Sequence, residues 1–87
     1  ASLAVAPNPF NPSTTVRFTA PLGSRGTVKV FNLRGELVRT LHNGEFRTQQ
    51  FLWNGVDERG ASVASGVYLY RMTAGSRVAE KKLLLVR

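Results

Sequence analysis

At 87 residues, with 43% apolar and 20% charged side chains, the chain has the size and make-up of one globular domain rather than of a disordered tail. The absence of cysteine excludes a disulfide scaffold and any thiolate metal site, and no apolar run approaches the roughly 18 residues that a spanning helix requires. Twelve basic against five acidic residues leave a net charge of +7, and one histidine beside five carboxylates is a poor inventory for hydrolytic chemistry.

The opening Ala1-Ser2-Leu3-Ala4-Val5-Ala6-Pro7 begins without Met and lacks the basic segment and continuous apolar core of an export leader. It reads as the start of a piece cut from a longer protein. Residues 1–13 are expected to hold a short strand at Ser2–Ala6, then an extended stretch in which Pro7, Pro9 and Pro12 fix φ and remove backbone donors. Thr14–Ala20 alternates cleanly, with Val16, Phe18 and Ala20 on one face and Thr15, Arg17 and Thr19 on the other. Thr27–Leu33 starts the same way through Val28 and Val30, then adds Phe31 and Leu33 on the opposite face. Either both faces are covered there or a bulge shifts the phase. Glu36–Leu41 follows a turn at Arg34-Gly35 as a short strand. Asn43-Gly44 then predicts a tight hairpin, because a type I′ turn needs positive φ at both central residues.

Arg47–Trp53 returns with Gln49, Phe51 and Trp53 on one face. Gly66–Thr73 sets Tyr68, Tyr70 and Met72 against Val67, Leu69 and Arg71. Ala74-Gly75-Ser76 turns the chain into a last strand, Arg77–Val86. No long segment carries a 3.6-residue apolar period. The expectation is an all-β fold, an antiparallel immunoglobulin-like sandwich of about seven strands with little or no helix, in a single domain spanning 1–87.

Candidate chemistry is sparse. A nucleophilic triad would have to use His42 and Asp57, and His42, beside the expected hairpin, is predicted to face solvent. Glu36, Glu45, Asp57, Glu58 and Glu80 offer carboxylates for a glycosidase pair, but no spacing brings two of them into a pocket. Asn54-Gly55-Val56-Asp57-Glu58-Arg59-Gly60 faintly resembles a calcium loop, yet it is short of carboxylates and carries a guanidinium. A tight turn built on Asp57, Gly55 and Gly60 explains it better, so neither a metal nor any other cofactor is expected. Arg17, Lys29, Arg39, Arg47, Arg71, Arg77, Lys81 and Lys82 fall mostly on strands and predict a basic sheet surface. Such a surface attracts nucleic acid, anionic polysaccharide or lipid head groups alike, or is simply solvated. Base stacking needs exposed rings, and Phe18, Trp53, Tyr68 and Tyr70 read as inward, so no nucleic acid is expected. Arg34-Gly35-Glu36 loosely resembles an adhesion tripeptide, but is read as a turn set by Gly35.

Four motifs in order add a specific likeness. Asn8-Pro9-Phe10-Asn11-Pro12-Ser13-Thr14-Thr15-Val16-Arg17-Phe18 resembles the opening of the type A C-terminal sorting domains of the type IX secretion pathway, found in Bacteroidota and related bacteria. Phe31-Asn32-Leu33-Arg34-Gly35-Glu36-Leu37-Val38 resembles their second motif. Trp53-Asn54-Gly55-Val56-Asp57-Glu58-Arg59-Gly60, with Val63-Ala64-Ser65-Gly66-Val67-Tyr68, resembles the third, which is shared with the immunoglobulin-like domain of the flagellar hook-capping protein. Asn54 stands where that motif usually has Asp, which weakens the calcium reading further. Lys81-Lys82-Leu83-Leu84-Leu85-Val86-Arg87 resembles the basic-apolar ending. Pro9, Phe10, Asn11, Pro12, Gly35, Trp53, Gly55, Asp57, Gly60, Gly66 and Tyr68 are the expected fold determinants. Trp53 should plug the core, where burial takes about 200 Å² of ring from water. Gly66 should let the chain turn sharply, and Tyr68 should keep its hydroxyl bonded near the rim as a corner tyrosine does.

The resemblance implies a non-catalytic address at the end of a secreted cargo protein. It would be recognised in the periplasm by outer-membrane secretion machinery, with the cargo delivered to the cell surface and attached to lipopolysaccharide. Lys81, Lys82, Leu83, Leu84, Leu85, Val86 and Arg87 would form the recognition strand, offered as a sheet edge. The alternative is an accessory immunoglobulin-like or fibronectin type III-like module of an extracellular hydrolase, spacing domains or binding carbohydrate through Phe10, Phe31 and Phe46.

Overall fold

The computed structural model describes residues 14–86. Six strands follow one another: β1 (Thr14–Arg17), β2 (Arg25–Phe31), β3 (Leu37–Glu45), β4 (Gln50–Trp53), β5 (Gly66–Ala74) and β6 (Arg77–Leu85). They form two antiparallel sheets, β1-β4 and β3-β2-β5-β6, with no helix among the described residues. The fold is an immunoglobulin-like β-sandwich. Six of the expected seven strands are present among the described residues; the seventh, anticipated at Ser2–Ala6, lies outside them, as do Pro9, Phe10, Asn11, Pro12 and Arg87.

The period-two pattern sets the core. Val16 and Phe18 from the β1 segment, and Phe51 and Trp53 from β4, meet Val28 and Val30 from β2 and Tyr68, Tyr70 and Met72 from β5. Each set alternates with outward residues, so one sheet face from each layer closes on the other. Leu85 adds the last buried side chain of β6. Phe31 keeps the outward phase of β2, opposite to Val28 and Val30, and the bulges lie on the partner strand. Val28 pairs with His42 but Lys29 with Thr40, and Val30 pairs with Arg39 but Phe31 with Leu37, which leaves Leu41 and Val38 as the extra residues of β3. Val38 is buried and Leu41 packs on the core, so each bulge delivers an apolar side chain inward.

The expected hairpin at Asn43-Gly44 does not form. β3 runs straight through, pairing Asn43 with Thr27, Gly44 with Gly26 and Glu45 with Arg25. The physical reason is tertiary. A reversal at Asn43-Gly44 would break these pairings and take Phe46 out of the core, where it is fully buried. The chain crosses to the other sheet just after Phe46, whose amide donates to the Ser24 carbonyl at 2.7 Å while its own carbonyl accepts from Gly23 at 2.8 Å. Phe46, read from the sequence as a ring open to a ligand, is a core residue.

Candidate functional site

Two turns and a corner hold the strands in place. In the first, the Asn32 side-chain oxygen accepts from the Arg34 and Glu36 amides at 2.9 and 3.0 Å, and the Gly35 amide donates to the Asn32 carbonyl at 3.0 Å. Gly35 sits at φ 84°, a conformation in which a side chain is strained, so Arg34-Gly35-Glu36 is a turn. In the second, the Asp57 carboxylate accepts from the Arg59 and Ala61 amides at 2.9 and 3.0 Å, while the Asp57 amide donates to the Ala61 carbonyl at 2.9 Å. Gly55 at φ 76° and Gly60 at φ 84° complete the loop. The amide of Ala61, then that of Arg59 and the charges of Arg59 and Arg39, hold the Asp57 carboxyl below its ordinary value against a partial desolvation penalty. Its Oδ1 is thereby committed to the loop's own amides, as the turn reading requires.

The same loop clasps the edge of β3. The Arg39 guanidinium donates to the Asp57 carbonyl at 2.9 Å, and the Thr40 amide donates to the Glu58 carboxylate at 2.9 Å. Neither Arg39 nor Glu58 stands out as a structural residue in the sequence, because their partners lie 18 positions away. The corner is built from Trp53, Gly66 and Tyr68. Trp53, 1% exposed, donates its indole N–H to the Val56 carbonyl at 2.8 Å and meets Tyr68 edge-on, with ring centroids 5.0 Å apart. The Tyr68 hydroxyl donates to the Ala64 carbonyl at 2.6 Å, four residues back, and Gly66 between them starts β5 at φ 157°.

The sequence expectation for His42 is overturned. With no hairpin beside it, the imidazole is part-buried, stacked on Phe46 with centroids 4.6 Å apart and tilted against Phe51 at 5.6 Å. It packs as an aromatic, and no carboxylate stands against it among the described residues. A cleft of about 200 Å³ is lined by Arg39, Thr40, Leu41, Leu52 and Asn54. Its one titratable side chain, Arg39, is already bonded to the Asp57 loop, so the cleft assembles no acid–base pair.

The tail is divided by the pleat. Along β6, Lys81, Leu83 and Leu85 point toward the other sheet, and Lys82 and Leu84 point away from it. Leu85 is buried and Leu83 packs against the core. Lys81 donates to the Arg17 carbonyl at 2.6 Å and holds its ammonium 5.5 Å from the centre of the Phe18 ring, tying the two layers together. Lys82 is exposed, Leu84 is 65% exposed and Val86 58%. β6 pairs only with β5, so its far side is a sheet edge among the described residues.

Nothing in the sequence marks Gly26. A Cβ there would overlap the Thr73 carbonyl oxygen and come within 2.9 Å of the Ala74 Cα, so β2 and β5 touch where only glycine fits. A set of apolar side chains on the outside of the larger sheet is likewise hidden, hinted at only by Val67, Leu69 and Phe31 falling opposite the core-facing residues.

No curated protein and no solved structure matched the chain. A family model, described as the FlgD Ig-like domain, matches residues 10–77. Domains of that kind are non-catalytic modules, in keeping with side chains committed to turns, corner and core. By that match, over most of its length, the chain belongs to the family of FlgD Ig-like domains.

Proposed function

We propose that this immunoglobulin-like module performs no chemistry and serves as the C-terminal sorting domain of a protein exported by the type IX pathway. Its partners on this reading are the outer-membrane secretion machinery, a cargo domain preceding it in the same chain and, through the attachment step, surface lipopolysaccharide. Its place is the cell surface or the medium, reached through the periplasm. On this reading nucleic acid is not expected as a partner, and the burial of Phe18, Trp53, Tyr68 and Tyr70 supports that by withholding four rings that could stack on bases.

The observation that carries the reading is the combination of the four ordered motifs with a final strand that lies, among the described residues, at a sheet edge, Lys82 and Leu84 turned outward. An edge strand offers backbone donors and acceptors to a second chain, and lysine on it discourages indiscriminate pairing. The carbohydrate-module alternative is less well supported. Phe46 is buried and the half-exposed Phe31 ring carries the Arg71 guanidinium 4.8 Å from its centre. The test is a reporter fused to the whole chain in a host with the type IX apparatus. Reporter at the cell surface, and none in an isogenic strain lacking the translocon, is the expected result; a periplasmic reporter in both strains refutes the proposal. Deleting Lys81–Arg87 is a poor test, since it also removes Leu85 from the core and the Lys81 tie.

A further inference from the structure

The pairing registers line up the outward side chains of the four-stranded sheet in ranks. Val67 stands opposite Leu84; Leu69 lies between Lys82 and Phe31, and Phe31 is opposite Leu37; Arg71 lies between Glu80 and Lys29. Leu84, Val67, Leu69, Phe31 and Leu37 therefore form one apolar field at the end of the sheet where β6 finishes. Leu37 is 48% exposed, Val67 38% and Leu84 65%, with Phe31 and Leu69 half-buried between them. The field covers an area on the order of 300 Å², comparable with the largest apolar patch of a typical monomer, which is often functional. Its border is cationic. Lys82 and Lys29 have no ion-pair partner among the described residues, while Arg71 is bonded to Glu80 at 2.6 Å.

We propose that this outer face is a docking surface for another protein, one that presents an apolar centre with an acidic rim, and that Lys82 and Leu84 act as part of this face rather than as a linear tail. The proposal rests on the sorting reading and assigns its recognition surface. An apolar centre ringed by charge is the anatomy of a protein interface. The rim selects an acidic partner by complementarity, and the net charge of +7 disfavours a second copy of this chain. A lipid surface fits less well, because Phe31 and Leu69 are half-buried in the sheet instead of protruding to insert. The face is continuous with the edge of β6 that no described strand covers, so one partner can engage both.

The experiment measures surface export of the reporter fusion, with melting temperatures of the purified domain as a check on folding. Leu84→Glu and Leu37→Glu each place a carboxylate in the apolar field. The two leucines lie on strands at opposite sides of the sheet and far apart in the chain, so a linear tail signal would feel only the first. Leu52→Glu is the control, an equally exposed leucine on the other sheet. Export is expected to fall about tenfold or more for Leu84→Glu and Leu37→Glu, the change that follows loss of roughly one well-formed contact, with Leu52→Glu at the parent level. Leu37→Lys, which keeps the cationic sign of the face, should retain more export than Leu37→Glu. If Leu37→Glu lowers the melting temperature, Val67→Glu takes its place.

Normal export of Leu37→Glu and Val67→Glu beside a failing Leu84→Glu overturns the face and leaves the sorting reading standing. An equal fall for Leu52→Glu also overturns it. A parent fusion that is not exported removes the sorting reading and this inference with it. Binding of the parent domain to phosphatidylglycerol vesicles, lost in Leu84→Glu and Leu37→Glu, assigns the face to lipid and overturns the protein partner.

Discussion

Gly26→Ala tests how closely the two central strands approach. Gly26 is in β2, paired with Gly44 of β3 on one side and Ala74 of β5 on the other. A methyl group there would overlap the Thr73 carbonyl oxygen and lie 2.8 Å from the Thr73 carbonyl carbon. Both are backbone atoms, so no side-chain rotation relieves the clash. β2 cannot retreat without breaking its ladder to β3, and β5 cannot without breaking its ladder to β6. Overpacking a core usually costs about 1–3 kcal/mol, and a backbone obstacle puts this site at or above the top of that range. Total stability for a domain of this length is about 4–13 kcal/mol, so the variant forfeits a large fraction of it.

Gly35→Ala is the comparison. Its φ of 84° strains a side chain, but no atom lies within 4 Å of the added methyl, so the cost is about 1 kcal/mol, that of the left-handed conformation alone. Urea unfolding followed by tryptophan fluorescence measures both. A Gly26→Ala loss below that of Gly35→Ala would refute the close-approach argument.

The corner and the Asp57 loop can be probed in the same way. Tyr68→Phe removes the 2.6 Å bond to the Ala64 carbonyl while keeping the buried ring. The loss should be about 0.5–1.5 kcal/mol in urea, nearer the lower end because Ala64 is exposed and water can replace the hydroxyl. Asp57 ionises below its ordinary 3.8 in the folded chain, so folding favours the carboxylate. That stabilisation is complete above pH 3.8 and drains away as pH falls through the lower folded value. Asp57→Asn, which keeps a side-chain oxygen for the turn amides, should remove this part of the acid-side slope of stability; an unchanged slope would count against the assignment.

The candidate site was legible in part. Motif order and the β6 alternation identified the final strand, and the alternation is what divides Lys81, Leu83 and Leu85 from Lys82 and Leu84. That Leu37, Phe31 and Val67 share a face with Leu84 was not legible, because it depends on which strands are neighbours and in what register. His42 shows the same limit. Its neighbours in sequence announce a turn, while its neighbours in space are the rings of Phe46 and Phe51.

What the sequence by itself determined is local: which side chains share a face, as in Val16 and Phe18 or Tyr68, Tyr70 and Met72, and where glycine and Asx chemistry bends the chain, as at Gly35 and Asp57. Those follow from the two-residue repeat of a strand and from the dihedral preferences of single residues. Only the tertiary structure decided that Asn43-Gly44 stays extended, that β3 bulges at Val38 and Leu41, and that Gly26 has no room for a methyl group. In each case the deciding energy is a contact between segments far apart in the chain. Burial of Phe46 and completion of the β2 ladder outweigh the turn preference of two residues.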